Sequence, residues 1–195
     1  MKRLKIFAWV GLVLGVAQIL LMLTSWLLTA AMPDVFVRSL LSAEGIRWFL
    51  GQFQSNMASP LLVWLVLCSI AHGAYRRSGI SRYNHHEYRQ RFAMGVACFG
   101  FVLLLLIMLA LTLLPHAILL NVMGGLFPSS FTQCIIPYCA FVCTVVCCSF
   151  GVMSGKMKGV VGIFEALTSG IAWGAPSFVL YILAAQLYYS LSFLL

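Results

Sequence analysis

Acidic side chains are nearly missing from this chain. Its 195 residues include four Asp and Glu against twelve Lys and Arg. Between Ile6 and Ala31 no side chain is ionisable, and the later apolar runs contain no Asp, Glu, Lys or Arg. Buried carboxylates mark proton-coupled carriers and other intramembrane sites, and these runs offer none. No nucleophile–base constellation appears, and no G-x-S-x-G, H-E-x-x-H, P-loop or Rossmann pattern. The chain therefore does not read as an enzyme, and it implies no cofactor. There are seven cysteines but no C-x-x-C pair, which argues against a thioredoxin-like redox role.

Long apolar runs dominate what is there. The composition is 63% hydrophobic and 8% charged, with a mean hydropathy of +1.03. About 20 apolar residues in a helix cross a hydrocarbon core about 30 Å thick. Without water, backbone groups in that core are satisfied only in helices or closed barrels. The runs lack period-two alternation, so they predict helices. Five spans are expected, at about 6–32, 57–74, 92–114, 132–153 and 170–195. They leave no room for a soluble domain, so residues 1–195 read as one integral membrane domain, an all-α polytopic bundle. Met1-Lys2-Arg3-Leu4-Lys5 opens like a signal peptide, but the run after it exceeds an h-region, and a retained first helix is expected.

The net charge of +8 is distributed as membrane orientation requires. Lys2, Arg3, Lys5, Arg76, Arg77, Arg82, Arg89, Arg91, Lys156 and Lys158 fall on one side of the five spans, and only Arg38 and Arg47 on the other. That bias predicts a cytoplasmic N-terminus and an external C-terminus. In a bacterial cell this means the inner membrane. Basic residues in short loops beside spans also argue against nucleic acid as a partner. The lipid bilayer is the expected one, with a second copy or another membrane protein beside it. Between the first two spans, Val35, Phe36, Leu40, Leu41, Ile46, Trp48, Phe49 and Leu50 interleave with Arg38, Ser39, Glu44 and Arg47. An amphipathic helix over about 35–51, lying at the outer interface, fits this pattern, as does a helix packed on other spans. Leu40–Trp48 is expected to be helical, with Glu44 and Arg47 in one polar network.

Isolated polar residues have bland readings. His72 and His116 fall near span ends, and His85-His86 with Glu87 in a basic loop lack a third well-spaced metal ligand. Cys139, Cys143 and Cys147 recur every four residues, flanked by Cys134 and Cys148, which is a small-residue packing stripe. Small residues recur four apart at Gly11/Gly15, Gly151/Gly155 and Gly170/Gly174, and the first pair, within a span, suits a close helix crossing. Gln18, Gln133 and Gln186 suit helix–helix hydrogen bonds. Pro128, Pro137 and Pro176 read as kinks, which packed membrane helices tolerate.

Two stretches resemble one known family. Leu40-Leu41-Ser42-Ala43-Glu44-Gly45-Ile46-Arg47-Trp48 is similar to the N-L-L-S-A-E-G-I-R-W segment of the p-aminobenzoyl-glutamate transporter (AbgT) family. Pro60-Leu61 and Arg77-Ser78-Gly79-Ile80 resemble its F-A-P-L-G and A-E-x-S-G-L positions, with Arg76 standing where the family has Glu. Further on, Gly151, Gly155, Met157 and Lys158 resemble Y-G-x-x-x-G-x-I-K, while Pro176 and Ala184-Ala185-Gln186 resemble M-x-P-Y and F-F-A-A-Q-F. The resemblance implies an elevator-type architecture in which a dimerising scaffold carries a transport part of re-entrant hairpins. After Ile80 the chain runs into Asn84-His85-His86-Glu87 instead of the first hairpin, and the second is not found. A shortened, scaffold-like member is therefore expected. Ser42, Glu44, Gly45, Arg47, Trp48, Pro60, Ser78, Gly79, Gly155, Pro176 and Gln186 are its motif residues, in structural roles. Two functions follow: a scaffold that pairs with itself or a partner, or a small carrier of organic anions whose path forms between subunits.

Overall fold

The computed structural model describes the backbone of residues 2–32, 38–113 and 130–194, and the side chains of 4–32, 38–112 and 134–194. Every regular element among them is helical: α1 (Lys2–Ala31), α2 (Ala43–Gly51), α3 (Phe53–Met57), α4 (Pro60–Ser78), a 3₁₀ turn (Ile80–Arg82), α5 (Tyr88–Leu113), α6 (Ser130–Met153) and α7 (Gly159–Leu194). Four are long and apolar enough to cross a membrane, namely α1, α5, α6 and α7. The described residues are thus all-helical in their regular structure, and their apolar helices suit a membrane-embedded protein. The 19-residue α4 carries Arg76 and Arg77 in its last turn and is not among the four. His116, Pro128 and the expected interfacial residues Val35 and Phe36 lie outside the described residues, as does the Gln133 side chain.

Element boundaries differ from the sequence reading: Met57 ends α3 and α4 runs Pro60–Ser78 instead of 57–74, α5 starts at Tyr88 instead of 92, and two further differences are larger. Leu40, Leu41 and Ser42 form a turn, and the helix starts only at Ala43. Ser42 is in extended conformation and its side chain accepts from the Gly45 amide, so it is the N-cap. Helix α7 begins at Gly159, well ahead of residue 170. Nothing between Ile163 and Ser169 breaks a helix, and the apolar criterion simply missed its polar opening. At about 1.5 Å per residue it is about 54 Å long, beyond a core of about 30 Å.

The described residues divide into two compact units, 1–62 with 175–195 and 63–174. In the first, α1 and the end of α7 meet through Gln18, which donates from Nε2 to Ser190 Oγ at 2.9 Å. Ser190 is fully buried. Leu40 is buried too, and its amide donates to Ser25 Oγ of α1 at 3.2 Å. Trp48 of α2 stacks on Phe193 of α7 with centroids 4.5 Å apart. In the second unit α5 packs on α6 through Ala93, Ala97 and Phe150, with Ile80, Tyr83, Met94 and Val146 around them. Two alanines on α5 bring its backbone close enough for Phe150 to fill the space between.

Candidate functional site

Most of the motif residues fall at two turns, one in each unit, while Pro60, Pro176 and Gln186 lie on helices α4 and α7. The first turn precedes α2. A Cβ placed on Gly45 would stand 2.7 Å from Leu40 Cα, so only glycine lets this helix start press on the preceding chain. Ser42 Oγ also donates to the Ser39 carbonyl at 2.7 Å, and the Leu41 amide donates to Ser39 Oγ. Three serines, Ser25, Ser39 and Ser42, thereby satisfy the backbone where α1 gives way to α2. Glu44 and Arg47 are exposed and make no ion pair with each other; the described residues contain one ion pair, elsewhere. The expected polar network is therefore not formed within this turn, since both side chains point to open surroundings. Arg38 instead lies over the Phe193 ring, 5.7 Å from its centroid.

The second turn joins α6 to α7. Gly155 (φ 80°) and Gly79 (φ 68°) both adopt the left-handed conformation. Lys156 Nζ donates to the Gly79 carbonyl at 3.0 Å, and Arg89 Nε donates to the Met153 carbonyl at 3.0 Å. Both carbonyls sit at helix C-termini, where cations interact favourably with the helix dipole. Met157 is buried, and its amide donates to the Gly151 carbonyl at 2.9 Å. Ser78 is fully buried, with Oγ donating to the Tyr75 carbonyl at 2.8 Å. Arg77 faces Glu165 of α7 at 3.8 Å, with side chains 56% and 58% exposed, so the pair contributes little. Glu165 and Arg89 were missed as structural residues. Their signal was the absence of a helix breaker after Gly159 and the surplus of Arg in a loop that needs cations on carbonyls.

Deeper in the second unit, α4 and α7 touch backbone to backbone. A Cβ on Gly73 would lie 2.5 Å from the Gly170 nitrogen, and one on Gly170 would lie 2.9 Å from Gly73 Cα. Gly170 was legible as one of a small pair, but its mate is Gly73 on another helix. His72, one residue away from Gly73, packs on Trp173 with centroids 4.0 Å apart and the rings tilted by 30°. Of the other glycine pairs, Gly11 sits against Leu180 at 3.5 Å for an added Cβ, and Gly15 faces open space.

The cysteine stripe lines an apolar groove. Cys139, Cys143 and Cys147 border a space of about 490 Å³ with Phe101, Leu105 and Tyr138. Cys143 and Cys147 sulfurs are 4.0 Å apart, and all described cysteines are free. Among the described residues no three His, Cys, Asp or Glu side chains converge as metal ligands. Asn84 to Glu87 form a local polar turn: the Asn84 amide donates to Gln90 Oε1 at 2.8 Å, and the Gln90 amide group contacts Glu87.

Gln186 of the first unit is 5% exposed, and neither its Nε2 nor its Oε1 has a partner; Asn56 Nδ2 and Gln18 Oε1 share that condition. Pro60 opens α4, where a missing amide costs nothing, and Pro176 lies inside α7. Comparison with family models, curated proteins and solved structures finds no match for this chain.

Proposed function

We propose that this protein is a membrane scaffold that pairs with a second copy or with another membrane protein, and that it does not transport on its own. In this reading it is related to the AbgT carriers, and these residues correspond to their dimerising part. Five helices cross the inner membrane, α4 being the fifth at about 28 Å of rise. The short α2 lies at the outer interface, the N-terminus is cytoplasmic and the C-terminus is external. The observation that carries the reading is what the motif residues do. Ser42 caps, Gly45 admits a close approach, Gly79 and Gly155 turn the chain, and Ser78 closes a helix end. Each acts on the backbone, as scaffold residues do. Broad apolar faces remain for lipid or partner: Trp9, Val13, Ile19 and Leu27 of α1 are all more than half exposed.

The alternative is a carrier of aminobenzoyl-glutamate-like anions with its path between subunits. Gln186 favours it, because a buried amide with two unpaired atoms is costly and Pro176 takes one amide from the ladder of the same helix. Mass measurement in mild detergent, with and without cross-linking, together with uptake into liposomes tests the choice. The scaffold reading expects a dimer or a co-purified membrane protein and no saturable uptake of aminobenzoyl-glutamate. Saturable, gradient-dependent uptake by the purified chain establishes the carrier instead.

A further inference from the structure

The end of α4 and the α6–α7 turn enclose a cleft of about 330 Å³ whose charged lining is Arg77, Lys156, Lys158 and Glu165. Three cations face one carboxylate, an excess of two positive charges. The cleft is built rather than incidental. Lys156 is held on the Gly79 carbonyl, and its ammonium keeps two further N–H donors. Met157, buried beneath, anchors the turn through the Gly151 carbonyl. Arg89, on the Met153 carbonyl, braces the turn from the α5 side. The first turn of α7 also lines the cleft through Val161 and Gly162 and contains no acidic residue. Amides ahead of Gly162, the first to bond back along the helix, have no intrahelical carbonyl to use. Three cations thus line a cleft in which Glu165, 3.8 Å from Arg77, is the one acidic residue.

We propose that this cleft binds the phosphate group of an anionic phospholipid. Basic pockets at the ends of membrane helices suit such headgroups. The lipid is favoured over a soluble phosphate by what flanks the cleft. Val161 of α7, which lines the cleft beside the cations, is 70% exposed, and its apolar side chain suits the glycerol and upper acyl carbons of the same molecule. A choline headgroup would bring its own cation against Lys156 and Lys158 and be disfavoured. The inference needs only that these helices lie in a membrane and is independent of the scaffold reading.

Native mass spectrometry of the full chain, purified in mild detergent with added phosphatidylglycerol or phosphatidylcholine, tests it. Wild type should retain one phosphatidylglycerol in clear preference to phosphatidylcholine. Lys158→Gln, whose side chain makes no bond within the protein, should cut that retention about fivefold, and Lys156→Gln with Lys158→Gln further. Arg82→Gln, which removes a cation outside the cleft, should leave it unchanged. Circular dichroism checks that each variant is folded. Equal retention of the two lipids, or equal loss in Arg82→Gln, overturns the site. Displacement of the lipid by millimolar inorganic phosphate overturns the lipid assignment in favour of a soluble ligand.

Discussion

The two compact units hold their helices by different means. The first uses side-chain polar groups: Gln18 on Ser190, Ser25 on the Leu40 amide, and the Ser59 and Tyr181 hydroxyls on one another, with Tyr181 also donating to the Met57 carbonyl. The second leans on small residues, with Gly73 against Gly170 and Ala93 and Ala97 beneath Phe150, beside hydrogen bonds from Tyr138 to the Leu104 carbonyl and from Lys156 and Arg89 to helix ends. In lipid no hydrophobic drive brings helices together, so either close packing or interhelical hydrogen bonds must do so. Packing is intolerant of added volume, because backbone atoms cannot yield. Hydrogen bonds between membrane helices average only about 0.6 kcal/mol, because the separated helices find other partners. Substitutions should therefore do more harm in the second unit than in the first.

The largest effect is expected at the glycine crossing. Gly170→Leu adds a branched side chain where Ser69 and Gly73 backbone already stand in contact. Relief requires α4 and α7 to separate, and no compact second unit should form. Fluorescence-detected size exclusion should show aggregated protein, whereas Gly15→Leu, facing open space, should run as wild type. A monodisperse Gly170→Leu would break the contrast between the units. Gly155→Ala comes next. A left-handed residue with a Cβ costs about 1–2 kcal/mol, and the added methyl also presses on the Arg89 guanidinium. A lowered thermal midpoint in detergent is the expected readout, with Gly155→Asn falling less because Asn tolerates that conformation.

Smaller losses are expected in the first unit. Ser42→Ala removes the N-cap of α2 and should cost about 1 kcal/mol. Ser190→Ala leaves Gln18 without its acceptor and should cost about 0.6 kcal/mol. A loss at Ser190 as large as that at Gly155 would mean that the polar contacts of the first unit are cooperative. Thermal midpoints of the four variants, measured in one detergent, rank them directly.

How much of this was legible depended on the kind of signal. The four long apolar helices follow from hydropathy because membrane length and solvent set that pattern. The start of α7 did not, since residues 159–169 are helical without being uniformly apolar. The first residues before α2 misled for the opposite reason: Leu40 and Leu41 continue an amphipathic pattern, yet Ser42 caps and Gly45 demands that the chain fold back against it. Gly170 was visible as a small residue, but its partner Gly73 was not, because a single sequence does not record which helices meet. The arginines and lysines were read only for orientation. Two of them, Lys156 and Arg89, also close helix ends, a role that depends on where the left-handed glycines send the carbonyls.

The smallest expected effect lies at Glu44 and Arg47. Three residues apart on α2, they share a face, and that spacing predicted a pair worth about 0.2–0.5 kcal/mol. The structure leaves both exposed and unpaired. Glu44 still stands in the first turn of α2, where a carboxylate favours the helix dipole by about 0.3–1 kcal/mol at low salt. Glu44→Gln should therefore lower stability slightly, and less so as salt rises, whereas Arg47→Gln should leave it unchanged. A double-mutant cycle separates dipole from pair. If each residue acts alone, the two effects add within about 0.3–0.5 kcal/mol. A larger coupling would mean that the pair forms in solution, and that this turn, like the one at Lys156, is closed by charge as well as by serine hydroxyls.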